Sequence, residues 1–283
     1  MKKYIIPFFF FIVTSSIAQP VTVMSYNIRL DTKADGINQW TNRIEKVTQL
    51  IRLHNPDLLG VQEALHNQLI DLQNNLPGYQ YVGVGRDDGK EKGEYSAIFY
   101  KKDKFEVMSQ NTFWLSETPE VPGSKSWDAA ITRIVTTAEL KSKDTGKSFT
   151  MLNTHFDHVG KEARKKSALL IKAYIAGLTT GKSIKGMETP LIVSGDFNSE
   201  PTAEPYLTMI DGTNVMLIDS RPASDLTGTS CGFEVGAAPC KTIDYIFHST
   251  HWKATSYQVV QSHDGKYYPS DHLPVMATFT LKK

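Results

Sequence analysis

The sequence predicts an α/β protein with a single domain. Strand-like segments with alternating apolar and polar residues outnumber helical segments about two to one and are interleaved with them. No repeat, low-complexity tract or long linker interrupts this order. The chain has 283 residues, 40% of them hydrophobic and 22% charged. This composition excludes a disordered chain and is sufficient for a large core.

Two strand–helix pairs open the domain. Residues 21–30 alternate as a strand does, and the apolar residues that follow have the spacing of a helix ending at Asn55-Pro56. Residues 57–62 predict a second strand, and residues 65–76 predict a second helix that ends at Pro77-Gly78. The apolar face of the first helix consists of Trp40, Ile44, Val47 and Ile51.

The remainder of the domain is predicted to contain mostly strands. Its longest helical pattern runs from Glu162 to Leu178, and a short helix is predicted near residues 202–210. The apolar positions of the long helix are Ala163, Leu169, Leu170, Ala173 and Ile175. The predicted strands cover residues 79–84, 95–100, 105–115, 131–140, 148–155, 189–196, 213–219, 243–248, 254–260 and 273–281.

The N-terminus has the composition of an export signal. Lys2 and Lys3 precede an apolar run, and Ser16-Ile17-Ala18 fits a small-residue cleavage site. The alternatives are a buried first helix or an uncleaved anchor, but the apolar run is short for a membrane span. We therefore expect a signal peptide at residues 1–18, a mature domain at residues 19–283, and a secreted or periplasmic protein.

The charge balance gives no overall signature of a polyanionic partner. Removal of residues 1–18 changes the formal net charge from +1 to −1, because it removes two lysines and no acidic residue. A nearly neutral protein lacks the basic excess that is typical of nucleic-acid or membrane binding, although local patches can still bind them. We expect a monomer without stable membrane insertion.

Two cysteines lie close together in the sequence CGFEVGAAPC. In an exported protein, Cys231 and Cys240 predict a disulfide that closes a small loop. A metal site is the alternative, but no second cysteine pair or histidine pair lies beside them. Closure of a loop of this size stabilises a protein by roughly 2–3 kcal/mol.

Polar residues follow several of the apolar strands, where α/β proteins often carry their reactive groups. Each one alone has an ordinary explanation, such as a turn or helix cap for Asn27, Glu63 or Asp196. Four carboxylates, two histidines and two amides in such positions are more than solvated loops require. These residues are Asn27, Glu63, His155, Asp196, Asn198, Asp244, Asp271 and His272.

The order of the motifs around these residues resembles that of the endonuclease/exonuclease/phosphatase superfamily. The motifs are SYNIR, VQE, NTH, SGDFN, IDYIF and SDHLP, and the resemblance extends over residues 21–281. The superfamily includes deoxyribonuclease I, abasic-site endonucleases, neutral sphingomyelinases, inositol polyphosphate 5-phosphatases and deadenylases. WLSETPEVPGSKSWDAAITRIVT and NTHFDHVGKEARKKSA are similar to segments of its exported bacterial members.

The resemblance implies the fold and the reaction. The expected fold is a four-layer α/β/β/α sandwich of two mixed β-sheets flanked by helices, with the active site at one end. The expected activity is metal-dependent hydrolysis of phosphate esters, and we expect phosphodiesters. Such a reaction requires neutralised phosphoryl oxygens, an activated water in line and a stabilised leaving oxygen.

The metal ligands implied by the resemblance are oxygen donors. Glu63 is the expected carboxylate ligand, with Asn27 beside it and Asp271 as a further ligand. Mg²⁺ prefers one or two carboxylates together with waters and substrate oxygens, and Mn²⁺ can replace it. We therefore expect Mg²⁺ as the cofactor.

The same resemblance assigns the groups that move protons and contact the phosphate. Asp196 orients or deprotonates the attacking water, while Asn198 and His155 donate hydrogen bonds to phosphoryl oxygens. His272 pairs with Asp244, which would raise the pKa of the imidazole. Whether Asp196 or the Asp244–His272 pair accepts the proton of the water is left open by the sequence.

A further set of residues is expected to contact substrate. Arg133 matches a family arginine near the phosphate, and a surface ion pair is its alternative role. Trp127 lies among small residues, where an exposed ring could stack on a base or sugar, whereas Trp40 is expected in the core. The other members of the set are Glu94, Tyr95, Asp157 and His158.

Three functions remain as alternatives at this point. The first is an exported Mg²⁺-dependent phosphoesterase, and the second is a sugar-nonspecific secreted nuclease with nucleic acid as substrate. The third is a catalytically inactive binding module, which the retention of every motif disfavours. Against the nuclease, the basic run KEARKK is more simply the solvated face of a helix.

Overall fold

Two six-stranded β-sheets pack face to face, and helices cover the outer face of each sheet. The structure, a computed structural model, describes residues 19–177, 189–213 and 215–282. The expected α/β/β/α sandwich of two mixed sheets is confirmed. The predicted signal peptide at residues 1–18 lies outside the described residues.

The first sheet contains both ends of the domain. Its strands are β1 (Val21–Asn27), β2 (Leu58–Ala64), β3 (Tyr79–Val82), β4 (Tyr95–Lys101), β11 (Trp252–Val259) and β12 (Val275–Leu281). They lie in the order β11-β12-β1-β2-β4-β3. β1 and β2 are parallel and the other neighbours are antiparallel.

The second sheet has the same construction. Its strands are β5 (Phe105–Trp114), β6 (Ile134–Ser142), β7 (Ser148–His155), β8 (Leu191–Asp196), β9 (Leu217–Asp219) and β10 (Asp244–Ser249). They lie in the order β5-β6-β7-β8-β10-β9. β7 and β8 are parallel, whereas the other neighbours are antiparallel. Each sheet therefore has one central parallel pair.

The helices cover the two sheets separately. α1 (Trp40–His54) and α2 (His66–Asn75) pack on the first sheet, and α3 (Lys161–Ile175) and α4 (Glu204–Ile210) pack on the second. Trp40 is buried in the first of these interfaces, as expected. In the part of the chain that the structure describes, none of the helices is both long and apolar enough to cross a membrane.

Several predicted boundaries differ from the structure. β1 ends at Asn27 rather than at residue 30, because Arg29 has a φ of 58° and turns the chain away from the sheet. The strand predicted at residues 213–219 is shortened to β9. The buried face of α3 carries Ala168 and Ile171, and the predicted Leu169 is exposed on a neighbouring face.

The predicted disulfide between Cys231 and Cys240 is present. The chain enters the bridged loop directly after Thr229 and Ser230, which hydrogen-bond to the backbone of Lys241. On its other side, the same segment hydrogen-bonds to the backbone around His272. The disulfide therefore fixes a segment that lies between two of the motif-bearing parts of the chain.

A buried polar network connects the two sheets inside an otherwise apolar interface. The Asn153 amide of β7 donates to the backbone oxygens of Val61 and Ala97, both at 2.9 Å. Its Oδ1 accepts from Gln62 Nε2 at 2.7 Å and from Ser194 Oγ at 3.0 Å. All of the hydrogen-bonding capacity of this amide is used, so the network fixes one sheet relative to the other.

Gly60 makes this close approach of the sheets possible. A Cβ at Gly60 would lie 2.5 Å from Ser194 Oγ and 2.6 Å from Asn153 Oδ1. Any side chain there would displace the network, so the sequence DLLGVQ requires glycine at this position.

We predict that Asn153→Leu destabilises the protein by about 3 kcal/mol, because several buried polar groups lose their partner at once. Asn74→Leu on the exposed face of α2 is the control, with an expected change below about 0.5 kcal/mol. Urea unfolding followed by circular dichroism measures both. An Asn153→Leu protein as stable as the wild type would contradict this role of the network.

Candidate active site

The motif residues meet at one end of the sandwich because the central strands of both sheets end there. Asn27 ends β1 opposite Gln62 of β2, and Glu63 is the next residue of β2. In the second sheet, Asp196 lies opposite His155 on one side and opposite Asp244 on the other. Parallel neighbours present their carboxyl ends at the same edge, which brings these groups together.

The side chain of Asn27 joins the two sheets at this end. Its Nδ2 donates to Glu63 Oε1 and to Asp196 Oδ2, each at 3.0 Å. Its Oδ1 accepts from the backbone N–H of Arg29 at 3.0 Å. One lone pair of the amide oxygen is therefore used by the chain itself, and through Nδ2 the same side chain holds Glu63 in place.

Glu63 and Asp271 form an acidic site on the side of the first sheet. Glu63 has a φ of 61°, and its Oε2 accepts from the backbone N–H of Leu30 at 3.2 Å. Both carboxylates face the Arg29 guanidinium, whose Nη1 lies 3.9 Å from Glu63 Oε2 and 3.7 Å from Asp271 Oδ2. Backbone strain of this kind is concentrated at functional sites.

Asp196, His272 and Asp244 form a buried acid–base group. His272 Nδ1 lies 2.9 Å from Asp244 Oδ2, and its Nε2 lies 3.8 Å from Asp196 Oδ2. Burial alone lowers the pKa of His272, but the Asp244 and Asp196 carboxylates outweigh it and hold that pKa well above its usual value. Burial, with a contribution from Asp244, raises the pKa of Asp196 to about 7.

His155 and Asn198 lie on the other side of Asp196. The Nδ2 of Asn198 lies 3.0 Å from His155 Nε2, and its backbone N–H donates to Asp196 Oδ1 at 2.9 Å. Burial lowers the pKa of His155 well below its usual value, and the Arg133 charge lowers it further. His155 is therefore neutral at physiological pH.

A cluster of buried charges lies beside His155. Arg133 is 5% exposed, so the surface ion pair considered for it is excluded. Its Nη1 lies 4.0 Å from Glu94, which also pairs with Arg86 at 2.6 Å. Its Nη2 lies 3.2 Å from Nδ1 of the exposed His158. Arg133 Nε also lies 3.9 Å from Asp157 Oδ2, so both arginines lie among carboxylates, and Arg133 is the one that lines the cleft, where a guanidinium suits an anion.

These groups line a cleft of about 270 Å³. Nine of the residues that the sequence predicts contribute to its walls: Glu63, Glu94, Arg133, His155, His158, Asp196, Asn198, Asp271 and His272. Asn27 and Asp244 lie behind this wall and are buried, where each hydrogen-bonds to a residue that lines it.

Three residues predicted to bind substrate lie elsewhere. The Asp157 carboxylate is buried and accepts from the backbone N–H groups of residues 130, 131, 159 and 160, so it organises two loops. The Tyr95 hydroxyl donates to Lys90 O at 2.9 Å, and Tyr95 lines a small pocket next to the cleft. Trp127 is half-buried in the 111–130 connection and does not line the cleft.

Two positioning residues were not predicted. Arg43 is 2% exposed and donates to the backbone oxygens of Ile28 at 2.7 Å and Pro269 at 2.9 Å, which ties the loop after β1 to the loop that carries His272. Arg43 lies three residues after Trp40, on the apolar face of α1, and a charged residue at such a position could have indicated a buried arginine. Thr229 has no such signal, because its role depends on a contact with Asp244 across the fold.

Thr229 positions the buried partner of His272. Its Oγ1 donates to Asp244 Oδ2 at 2.6 Å and accepts from the backbone N–H groups of Ile243 and Asp244, each at 3.1 Å. The same carboxylate oxygen accepts a hydrogen bond from His272 Nδ1. The hydroxyl therefore sets the orientation of the carboxylate that orients the imidazole.

Two sets of side chains at this end of the sandwich offer donors for a divalent cation. Asp196, Asp244 and His272 offer ligand atoms within 4.8 Å of one another, so this buried group could hold a metal ion. Its imidazole nitrogen Nδ1, however, is already bound to Asp244. Glu63 and Asp271 are carboxylates at the cleft wall, and a hard cation prefers such oxygen donors. Both sets fit a metal in the chemistry of their donors.

Comparison with known proteins identifies a family profile that matches this sequence and solved structures that are similar to this fold. The sequence profile of the Endonuclease/Exonuclease/phosphatase family matches residues 24–272. The endonuclease/exonuclease/phosphatase of Bacteroides vulgatus is 41% identical, with a TM-score of 0.84 over 93% of this chain and 100% of that one. The mannosyl-6-phosphatase of Bacteroides thetaiotaomicron is 38% identical, with a TM-score of 0.83 over 92% and 100%.

More distant relatives are longer proteins. The nocturnin of Mus musculus is 24% identical over 307 residues, which is 95% of this chain and 67% of nocturnin. Over the first curated relatives that it matches, the chain spans between 42% and 67% of the relative's length.

The fold and these relatives define a metal-dependent hydrolase of phosphate ester bonds. The chain belongs to the Endonuclease/Exonuclease/phosphatase family. The family to which the sequence motifs pointed is thereby confirmed.

We predict that Thr229→Val lowers kcat at least tenfold with little change in KM, because Asp244 loses the hydroxyl that orients it. Thr229→Ser keeps the hydroxyl and should remain within about threefold of the wild type. Thr255→Val on the exposed side of β11 is the control for a general effect of the substitution. Wild-type kcat in a folded Thr229→Val protein would show that Thr229 has no positioning role.

Proposed function

We propose that the protein is an exported, Mg²⁺-dependent phosphatase of small hydrophilic phosphate esters, with sugar phosphates as the substrate class. The observation that carries this proposal is the cleft, in which cationic and acidic side chains face one compartment of about 270 Å³. This volume lies near the lower limit of small-molecule sites, which begin at roughly 300 Å³.

The lining of the cleft favours a compact, polar substrate. Apart from histidines, no described residue of the cleft wall is aromatic. Enzymes that bind single-stranded nucleic acid use aromatic platforms for successive bases, so this wall disfavours the nuclease alternative. The similarity to the mannosyl-6-phosphatase supports a sugar phosphate.

The charges favour a monoester over the diester that we expected from the sequence. A phosphate monoester is a dianion near neutral pH, whereas a diester carries one negative charge. Arg133 lies at the wall with its Nε 3.9 Å from Asp157 Oδ2 and its Nη1 4.0 Å from Glu94 Oε2, both distances longer than hydrogen bonds. The second negative charge of a monoester would be stabilised at this cluster.

The protonation states of Asp196 and His272 favour Asp196 as the general base. His272 is protonated at neutral pH, because its pKa is held well above the usual value, and a protonated imidazole cannot accept a proton. Asp196 has a pKa of about 7 and is therefore partly ionised there. In this proposal Asp196 takes the proton of the attacking water, and His272 donates a hydrogen bond from Nε2 to a phosphoryl oxygen.

The neutral donors complete the cradle for the phosphoryl group. The Asn198 amide lies between Asp196 and His155, and reaches the cleft from the segment that follows β8. In the structure His155 Nε2 accepts from Asn198 Nδ2. On substrate binding, Asn198 Nδ2 would donate to a phosphoryl oxygen instead, and the neutral imidazole with its proton on Nε2 would donate to another without adding charge. Oriented donors of this kind stabilise charge that develops on phosphoryl oxygens in the transition state.

Glu63 and Asp271 would hold the Mg²⁺ ion, with Asn27 keeping Glu63 in place. When bound, the ion neutralises charge on the phosphoryl oxygens.

A binding module without catalysis would not require the raised pKa of Asp196 beside a protonated histidine. The disulfide supports export, because such bonds persist in oxidising compartments.

We predict that hexose 6-phosphates are hydrolysed with a kcat/KM at least tenfold above that of bis-(p-nitrophenyl) phosphate, because the cationic cluster stabilises the second charge. Purified protein with Mg²⁺ would be assayed on both, and on p-nitrophenyl phosphate, plasmid DNA, RNA and sphingomyelin. Chelator should abolish the activity, and Glu63→Gln should lower it at least a hundredfold.

The exposed Glu117→Gln serves as the matched control and should retain wild-type activity. Faster hydrolysis of DNA, RNA or the diester than of every monoester would overturn the substrate class. Full activity of the metal-free protein in chelator would overturn the role of the metal.

A further inference from the structure

The positively charged guanidinium of Arg29 lies beside the acidic site formed by Glu63 and Asp271. Arg29 binds Asp35 with two parallel hydrogen bonds, from Nε at 3.0 Å and from Nη2 at 2.9 Å. This leaves Nη1 directed at Glu63 Oε2 and Asp271 Oδ2, at 3.9 and 3.7 Å. These two distances are longer than hydrogen bonds, so the guanidinium faces both carboxylates without occupying their oxygens.

The position of this guanidinium is set by the fold. The backbone N–H of Arg29 donates to Asn27, and its backbone oxygen accepts from Arg43 Nη2 at 3.1 Å and from Gln68 Nε2 at 2.9 Å. Asp35 lies in the 3₁₀-helix Lys33–Asn38, and its side chain is 8% exposed. A long, flexible side chain is thus held at both its backbone and its head group, as in a built site.

We propose that Arg29, oriented by Asp35, sets the affinity of the Glu63–Asp271 site for divalent cations. The inference rests on the metal site of the proposed function. A fixed positive charge next to the two carboxylates repels an incoming cation and stabilises the metal-free protein, in which the carboxylates would otherwise repel each other.

The two members of the Arg29–Asp35 pair act in opposite directions on the same site. Removal of the Arg29 charge leaves Glu63, Asp271 and Asp35 as an uncompensated acidic group, which binds a divalent cation more tightly. Removal of the Asp35 charge leaves the guanidinium uncompensated, which weakens cation binding. Loss of the ion pair as a structural element would instead affect both variants in the same direction.

The test is a titration of metal-free protein with Mn²⁺, followed by the electron paramagnetic resonance signal of the free ion, with Mg²⁺ as competitor. We expect the Mn²⁺ Kd to fall about tenfold in Arg29→Met and to rise about tenfold in Asp35→Asn. Arg29→Lys keeps the charge and should remain within about threefold of the wild type. In chelator, the Tm of Arg29→Met should lie below that of the wild type.

Arg52→Met and Glu45→Gln are matched controls, because they break an exposed ion pair of 2.8 Å on α1 and should leave the Kd unchanged. Weaker or unchanged Mn²⁺ binding by folded Arg29→Met would overturn the inference while the metal site stands. Absence of Mn²⁺ binding by the wild-type protein would overturn both the inference and the metal site on which it rests.

Discussion

The active site depends on one buried amide that two carboxylates share. Asn27 Nδ2 donates to Glu63 in its own sheet and to Asp196 in the other sheet, at 3.0 Å each. Through this group, the acidic site and the acid–base group become one centre with fixed spacing. The spacing holds because the Asn153 network fixes the two sheets relative to each other. A change in sheet packing would therefore separate the two halves of the centre.

Burial and the neighbouring charges together set the protonation states of these groups. In water, an aspartate would be ionised and a histidine largely neutral near pH 7. In this protein burial, with Asp244 nearby, raises the pKa of Asp196 to about 7, and the two aspartates hold that of His272 well above its usual value. His155, a few ångströms from Asp196, is shifted in the opposite direction by burial and by Arg133. The site thus holds a partly ionised carboxyl group, a cationic imidazole and a neutral imidazole side by side.

The sequence predicted the elements because they depend on local patterns, and the sandwich and the position of its site followed from the resemblance to the family. Alternation and helical spacing located the strands and α1 to α4, and the motif order identified the family. The sequence could not predict which partner each polar side chain hydrogen-bonds in the folded protein. Asn27 uses its oxygen on Arg29, and Asp157 uses its carboxylate on backbone N–H groups. The roles of Arg29 and Thr229 likewise depend on tertiary contacts that no spacing records.

Turnover of Asp196→Asn across a pH range, at saturating Mg²⁺, tests the account most directly. The amide keeps the size of the side chain but cannot accept the proton of the attacking water. We expect the wild-type rate to rise with pH as Asp196 ionises, and the variant to be at least a hundredfold slower and to lack this rise. A folded Asp196→Asn protein that retains a rate and a pH profile close to those of the wild type would contradict this expectation.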